Sequence, residues 1–180
     1  MKTYIAFLRG INVSGQKKIK MAELREHLEA LPLNEVQTYI QSGNIVFKAK
    51  EQGHTELEQQ ISGKIQEQYG FEVPVRVRTF TELKQIHANN AFPEVASAEF
   101  NKLFVAFLDR VPTAENTAKL NELEFPNEAY SLVGKELYFY CRNGAGKAKL
   151  SNTLIERKLQ VSATSRNWKT IEKLLALAEN

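Results

Sequence analysis

The chain has 180 residues, 43% hydrophobic and 25% charged, with a formal net charge of +3; this balance excludes a disordered chain and leaves room for one large domain or two small ones. A single cysteine, Cys141, excludes an internal disulfide. With no apolar run near the roughly 18 residues needed to cross a membrane, and no signal pattern, the chain reads as cytoplasmic and membrane-free.

In chain order, the apolar run 4–8 predicts a strand buried on both faces and central in a sheet. A loop bounded by Gly10 and Gly15 follows, then Lys17, Lys18 and Lys20, then a helix over 21–31 stopped by Pro32. Lysines at a helix start oppose the dipole, so an anion is expected among them. The stretches 36–41 and 44–48 predict a hairpin closed at Ser42-Gly43. A helix over 55–69 ends at Gly70, and Val73, Val75 and Val77 mark an edge strand that tolerates Pro74. This order, β-α-β-β-α-β, is that of ferredoxin-like folds.

The second half repeats it less cleanly. A helix near 81–89 precedes a strand over 103–108, where Phe-Val-Ala-Phe-Leu echoes Tyr-Ile-Ala-Phe-Leu at 4–8. Thr113 is expected to cap a helix reaching Leu123, followed by strands near 129–133 and 136–142. The loop of Gly144, Gly146, Lys147 and Lys149 leads to a helix over 151–159, and the last helix is expected to begin near Arg166 and bury Trp168. The expectation is an α+β protein of two duplicated ferredoxin-like halves, 1–80 and 81–180, packed as one compact unit. Acids exceed bases over 81–140 and bases exceed acids beyond, which makes the C-terminal part the expected face for an anionic partner.

Three stretches, FLRGINVSG at 7–15, TYIQSGNIVF at 38–47 and ATSRNWKTIEKL at 163–174, together resemble the signature segments of the bacterial domain-of-unknown-function family 1697 along the whole chain. The sequence departs from that family's pattern at Ser14, where a second glycine is usual, at Ala148, where a loop serine is usual, and at Ala91, where a proline is usual. The resemblance implies a duplicated ferredoxin-like architecture and no established activity. The missing serine at 148 weakens any chemistry assigned to its hydroxyl.

Candidate site residues fall in three groups. Arg9, Asn12, Lys17 and Lys18 surround the first glycine loop, whose spacing approaches a P-loop but lacks the lysine and Ser/Thr at the required positions. Ser42 and Asn44 flank the hairpin tip, which ferredoxin-like connectivity is expected to place at the far end of the sheet from that loop. Lys147, Lys149, Arg166 and Asn167 form the third group, with Thr164 or Ser165 expected to cap the last helix. Three histidines without metal-ligand spacing and one cysteine exclude a Cys-based zinc site, and Cys141, sharing a face with Leu137 and Phe139, reads as a packed thiol. The aromatic strand 138–140 invites comparison with RNA-recognition motifs, but their aromatic and glycine pattern is absent. The expected partner is a phosphate-bearing small molecule or a nucleic acid; the alternatives are an enzyme using Arg9, Asn12, Ser42 and Asn44, or a protein-interaction module using a strand edge.

Overall fold

The computed structural model describes residues 1–179. Among these residues eight strands form two four-stranded antiparallel sheets, and the chain divides into two compact units. The first comprises residues 1–85 together with the stretch from Lys173, and the second residues 86–172.

In the first unit, β1 (Lys2–Leu8), α1 (Met21–Glu29), β2 (Asn34–Tyr39), β3 (Asn44–Ala49), α2 (His54–Tyr69) and β4 (Val75–Thr79) build a sheet of order β2-β3-β1-β4. Strand alternation sends Tyr4, Ala6 and Leu8 into one core with Ile45, Phe47, Leu24, Leu28, Leu57, Ile61 and Ile65. Ile5 and Phe7, on the opposite face, are also fully buried. A run that is apolar at every position suits only a strand covered on both sides, and each such side chain contributes about 1.5–3 kcal/mol. Helix α2 ends at Gly70, whose φ of 78° lets its N–H reach the Gln66 carbonyl at 2.9 Å. Pro74 immediately precedes edge strand β4, where its missing N–H interrupts no ladder.

Helix α3 (Phe80–Ala88) opens with a reciprocal capping box, in which Thr79 Oγ1 accepts the Glu82 N–H at 3.1 Å and Glu82 Oε2 accepts the Thr79 N–H at 2.7 Å. After it come α4 (Pro93–Ala98), β5 (Leu103–Leu108), α5 (Ala114–Asn121), β6 (Glu128–Val133), β7 (Glu136–Cys141), α6 (Asn152–Leu159), β8 (Ala163–Asn167) and α7 (Trp168–Ala178). The second sheet has the order β6-β7-β5-β8. Its core joins Ala106 and Leu108 with Leu137, Phe139, Cys141, Leu120, Leu154, Ile155 and Leu159. Thr113 caps α5 through the Asn116 N–H at 3.2 Å, as its sequence predicts.

Three local expectations change. The first hairpin closes through a four-residue turn, 40–43, instead of two residues, with Ile40 and Gly43 both at positive φ. Strand β8, Ala-Thr-Ser-Arg-Asn, has no apolar alternation and the six-residue helix α4 is too short for a helical one, so neither is signalled by its own sequence. The last helix therefore starts at Trp168, leaving Arg166 and Asn167 in β8. Its cap is Asn167, whose Oδ1 accepts the Thr170 N–H at 2.9 Å, instead of Thr164 or Ser165.

Candidate functional site

The first glycine loop and the hairpin tip lie at the same end of the first sheet, contrary to the expected separation. Register requires it: Phe7 pairs with Asn44, and the Leu8 N–H donates to the Gly43 carbonyl at 2.8 Å. An antiparallel β1/β3 pair places the end of β1 beside the start of β3. Gly43 is held there by sterics as well as by its φ of 83°, since a Cβ would stand 2.7 Å from both Leu8 Cβ and Ile11 Cδ1.

Loop 10–20 is a built structure. Val13 bridges Gln16, and Ser14 and Gly15 between them both have positive φ, 50° and 75°, the pattern of a type I′ turn. Ile11 and Ile19 bury its base. Asn12 staples it: Nδ2 donates to the Ile19 carbonyl at 2.9 Å and the Gln41 carbonyl at 2.8 Å, while Oδ1 accepts the Ile19 N–H at 2.9 Å. Asn44 is fully buried, and its Nδ2 donates to the Tyr39 carbonyl at 2.9 Å and to Ser42 Oγ at 3.1 Å. Both amides bond to backbone carbonyls of the loop and the hairpin. Arg9 is half-buried, with its N–H on the Pro74 carbonyl at 3.0 Å.

Of the three lysines expected at a helix start, only Lys20 stands at one. Lys17 and Lys18 precede α1 by several residues, and Lys17 Nζ donates to the Glu72 carbonyl at 2.6 Å and sits 5.9 Å above the Phe71 ring. Lys20 occupies the cap position and pairs with Glu23 at 3.0 Å, which offsets its conflict with the dipole. Lys18 is exposed.

In the second unit an internal carboxylate already fills the place expected for an anion. Glu128 accepts the Lys149 and Leu150 N–H groups at 3.0 and 3.1 Å, and Lys149 Nζ turns to the Glu124 carbonyl at 3.2 Å and lies over Phe125. Lys147 falls in a short 3-10 turn. Arg166 is a buried β8 residue opposite Val105, and burial pulls its guanidinium down to about 10, still protonated at neutral pH. Arg78 holds the matching place in β4 opposite Ile5 and is also buried. Inward-pointing charges on edge strands discourage further strand addition, a sequence signal that was available in the Val-Arg-Val-Arg alternation and was missed. Cys141 is buried in the core, and desolvation aided by the Glu128 charge pushes its thiol up to about 11, as a packed and inert cysteine requires. Among the described residues, no group of three or more His, Cys, Asp or Glu is placed to hold a metal ion, and no helix is long and apolar enough to cross a membrane.

The sheets and the stapled basic loop define a mixed α+β protein whose polar motif residues organise turns. Over residues 1–138 the chain matches the family model described as "Protein of unknown function (DUF1697)", and it belongs to that family. The third motif stretch, 163–174, lies outside the matched segment. Among solved structures, the conserved bacterial protein SP0830 from Streptococcus pneumoniae is similar, with a TM-score of 0.77, 24% identity and 98% of each chain covered. No curated protein matches.

Proposed function

We propose that the protein binds a phosphate-bearing ligand, a nucleotide or a nucleic-acid strand, on loop 10–20, and does so in the cytoplasm. One observation carries this: the loop, tied by Asn12, exposes Lys17, Lys18 and Lys20, and the chain has no acidic residue before Glu23. Asn12, Ser14 and Lys17 hold left-handed conformations within it, each a strained choice for a non-glycine residue, and such strain gathers at functional segments. Around Gly10 and Gly15 a Cβ would meet nothing within 4 Å, so a ligand has room to approach the backbone. The Lys147–Lys149 loop, with Glu128 inside it, and the buried Arg166 are secondary in this scheme.

The same proposal includes a ferredoxin-like duplication. Its support is local and repeated: Leu8 N–H to Gly43 O is matched by Leu108 N–H to Lys135 O, both at 2.8 Å, and Arg9 N–H to Pro74 O by Asp109 N–H to Ser162 O, both at 3.0 Å.

The test is titration of wild type, Lys17→Ala/Lys18→Ala and Lys147→Ala/Lys149→Ala with nucleotides and a labelled oligonucleotide at low and physiological salt. The first double variant should lose most affinity. A nucleic-acid partner should show steep salt dependence and a small phosphorylated ligand a shallow one. Absence of binding by wild type, or equal loss in both variants, would overturn the assignment to loop 10–20.

A further inference from the structure

The second unit contains a cleft of ≈ 300 Å³ lined by His87, Ala88, Asn90, Pro93, Ala96, Ser97, Trp168 and Glu172, a volume at the small end of ligand sites. Its parts are firmly held. The Tyr138 hydroxyl donates to the Ile86 carbonyl at 2.8 Å and anchors the end of α3, while the Asn167 cap fixes the start of α7. His87 stacks on Trp168 with centroids 4.8 Å apart and planes 19° from parallel, which leaves the indole almost wholly buried. Glu172 stands one helical turn after Trp168, on the same face of α7.

The polar inventory gives the cleft a sign. Asn90 Oδ1 is engaged by the Phe92 N–H at 2.9 Å, and the Ser97 hydroxyl donates to the Glu94 carbonyl at 3.1 Å. Glu172 Oε1 and His87 Nε2 remain at the rim, 3.9 Å apart, too far for a hydrogen bond to each other. No lysine or arginine lines the cleft, so its one formal charge is a carboxylate beside apolar walls from Ala88, Pro93 and Ala96. His87, when protonated, has Glu172 as its own partner at 3.9 Å, so an anion meets no fixed counter-charge here. A flat group with paired N–H donors matches both the acceptor at the rim and the apolar depth.

From this geometry we infer that the cleft is a binding site for a small heteroaromatic amine or amidine, a flat ring lying between the apolar walls with its N–H donors on Glu172. The site shares no residue with loop 10–20 and takes a ligand of opposite charge. Trp168 is the chain's only tryptophan, so its indole N–H gives one resonance that reports on this cleft alone. Benzamidine, benzamide and benzoate form a series of one shape and differing charge. In titrations of the full chain, benzamidine should shift the Trp168 indole signal saturably, benzamide more weakly and benzoate not at all. Glu172→Gln keeps the shape of a half-exposed side chain and should weaken benzamidine about tenfold, the loss of a charge-assisted hydrogen bond. No saturable shift with benzamidine up to about 10 mM, an equal response to benzoate, or unchanged affinity in a folded Glu172→Gln protein would overturn the assignment.

Discussion

Asn12 and Ile19 are joined by two hydrogen bonds, side-chain amide to backbone carbonyl and backbone N–H to side-chain oxygen, each 2.9 Å long. A residue singled out as a ligand donor is thus the clasp of its own loop, and its third bond, to the Gln41 carbonyl, ties that loop to the hairpin tip. Asn12→Ala should destabilise the protein by about 2–3 kcal/mol, since it strips three partners at a left-handed position. Asn12→Asp keeps the acceptor for the Ile19 N–H but sets a carboxylate oxygen against the Ile19 and Gln41 carbonyls, and should cost at least as much as Asn12→Ala. Urea midpoints at constant slope measure the effect, and an Asn12→Ala midpoint equal to wild type would remove the clasp from the account.

Gly43 and Gly15 separate two reasons for a glycine. Both have positive φ, but only Gly43 has neighbours where a Cβ would go. Gly15→Ala should cost about 1 kcal/mol from backbone strain alone, and Gly43→Ala at least about 2 kcal/mol more as Leu8 and Ile11 are displaced. Thermal unfolding of the two variants side by side is the measurement; equal costs would contradict the packing of the turn on β1.

Cys141 should resist thiol reagents in the folded protein and react on unfolding. Its thiol is raised to about 11 from 9.0, so the folded state holds the proton more tightly than the unfolded chain. That contribution is fully present below pH 9 and is lost as pH rises through 11, a change of about 3 kcal/mol. Cys141→Ala should therefore lose less stability than wild type between those pH values. Parallel denaturation series at pH 8 and above compare them, and identical alkaline slopes would count against a desolvated thiol.

Glu128 tests whether the Lys147–Lys149 loop is closed from within. Glu128→Ala removes the acceptor for two backbone N–H groups and should cost about 1–2 kcal/mol, whereas Glu128→Gln, which keeps one oxygen, should cost less. Chemical denaturation reads the cost. Faster amide exchange at Lys149 and Leu150 in the alanine variant, with exchange at α2 unchanged, locates it; unaltered exchange would contradict the capping role.

Much of the architecture was legible because it rests on short-range rules. The runs at 4–8 and 103–108 have no polar break and so demand two-sided burial; Gly70 and Thr113 mark helix ends by φ freedom and hydroxyl geometry; Leu137, Phe139 and Cys141 alternate as one strand face must. What only the tertiary structure decided was where each polar side chain spends its hydrogen bonds. Asn12 and Glu128 engage backbone, 29 residues away for Asn12 with Gln41 and 21 for Glu128 with Lys149, and such partners are invisible to any local window. Arg166 shows the same limit, since the five-residue strand β8 is held by pairing to β5 some sixty residues earlier, not by its own periodicity. Local sequence sets which conformations are available; long-range pairing selects among them, because a buried donor or acceptor must find its partner wherever the fold brings one.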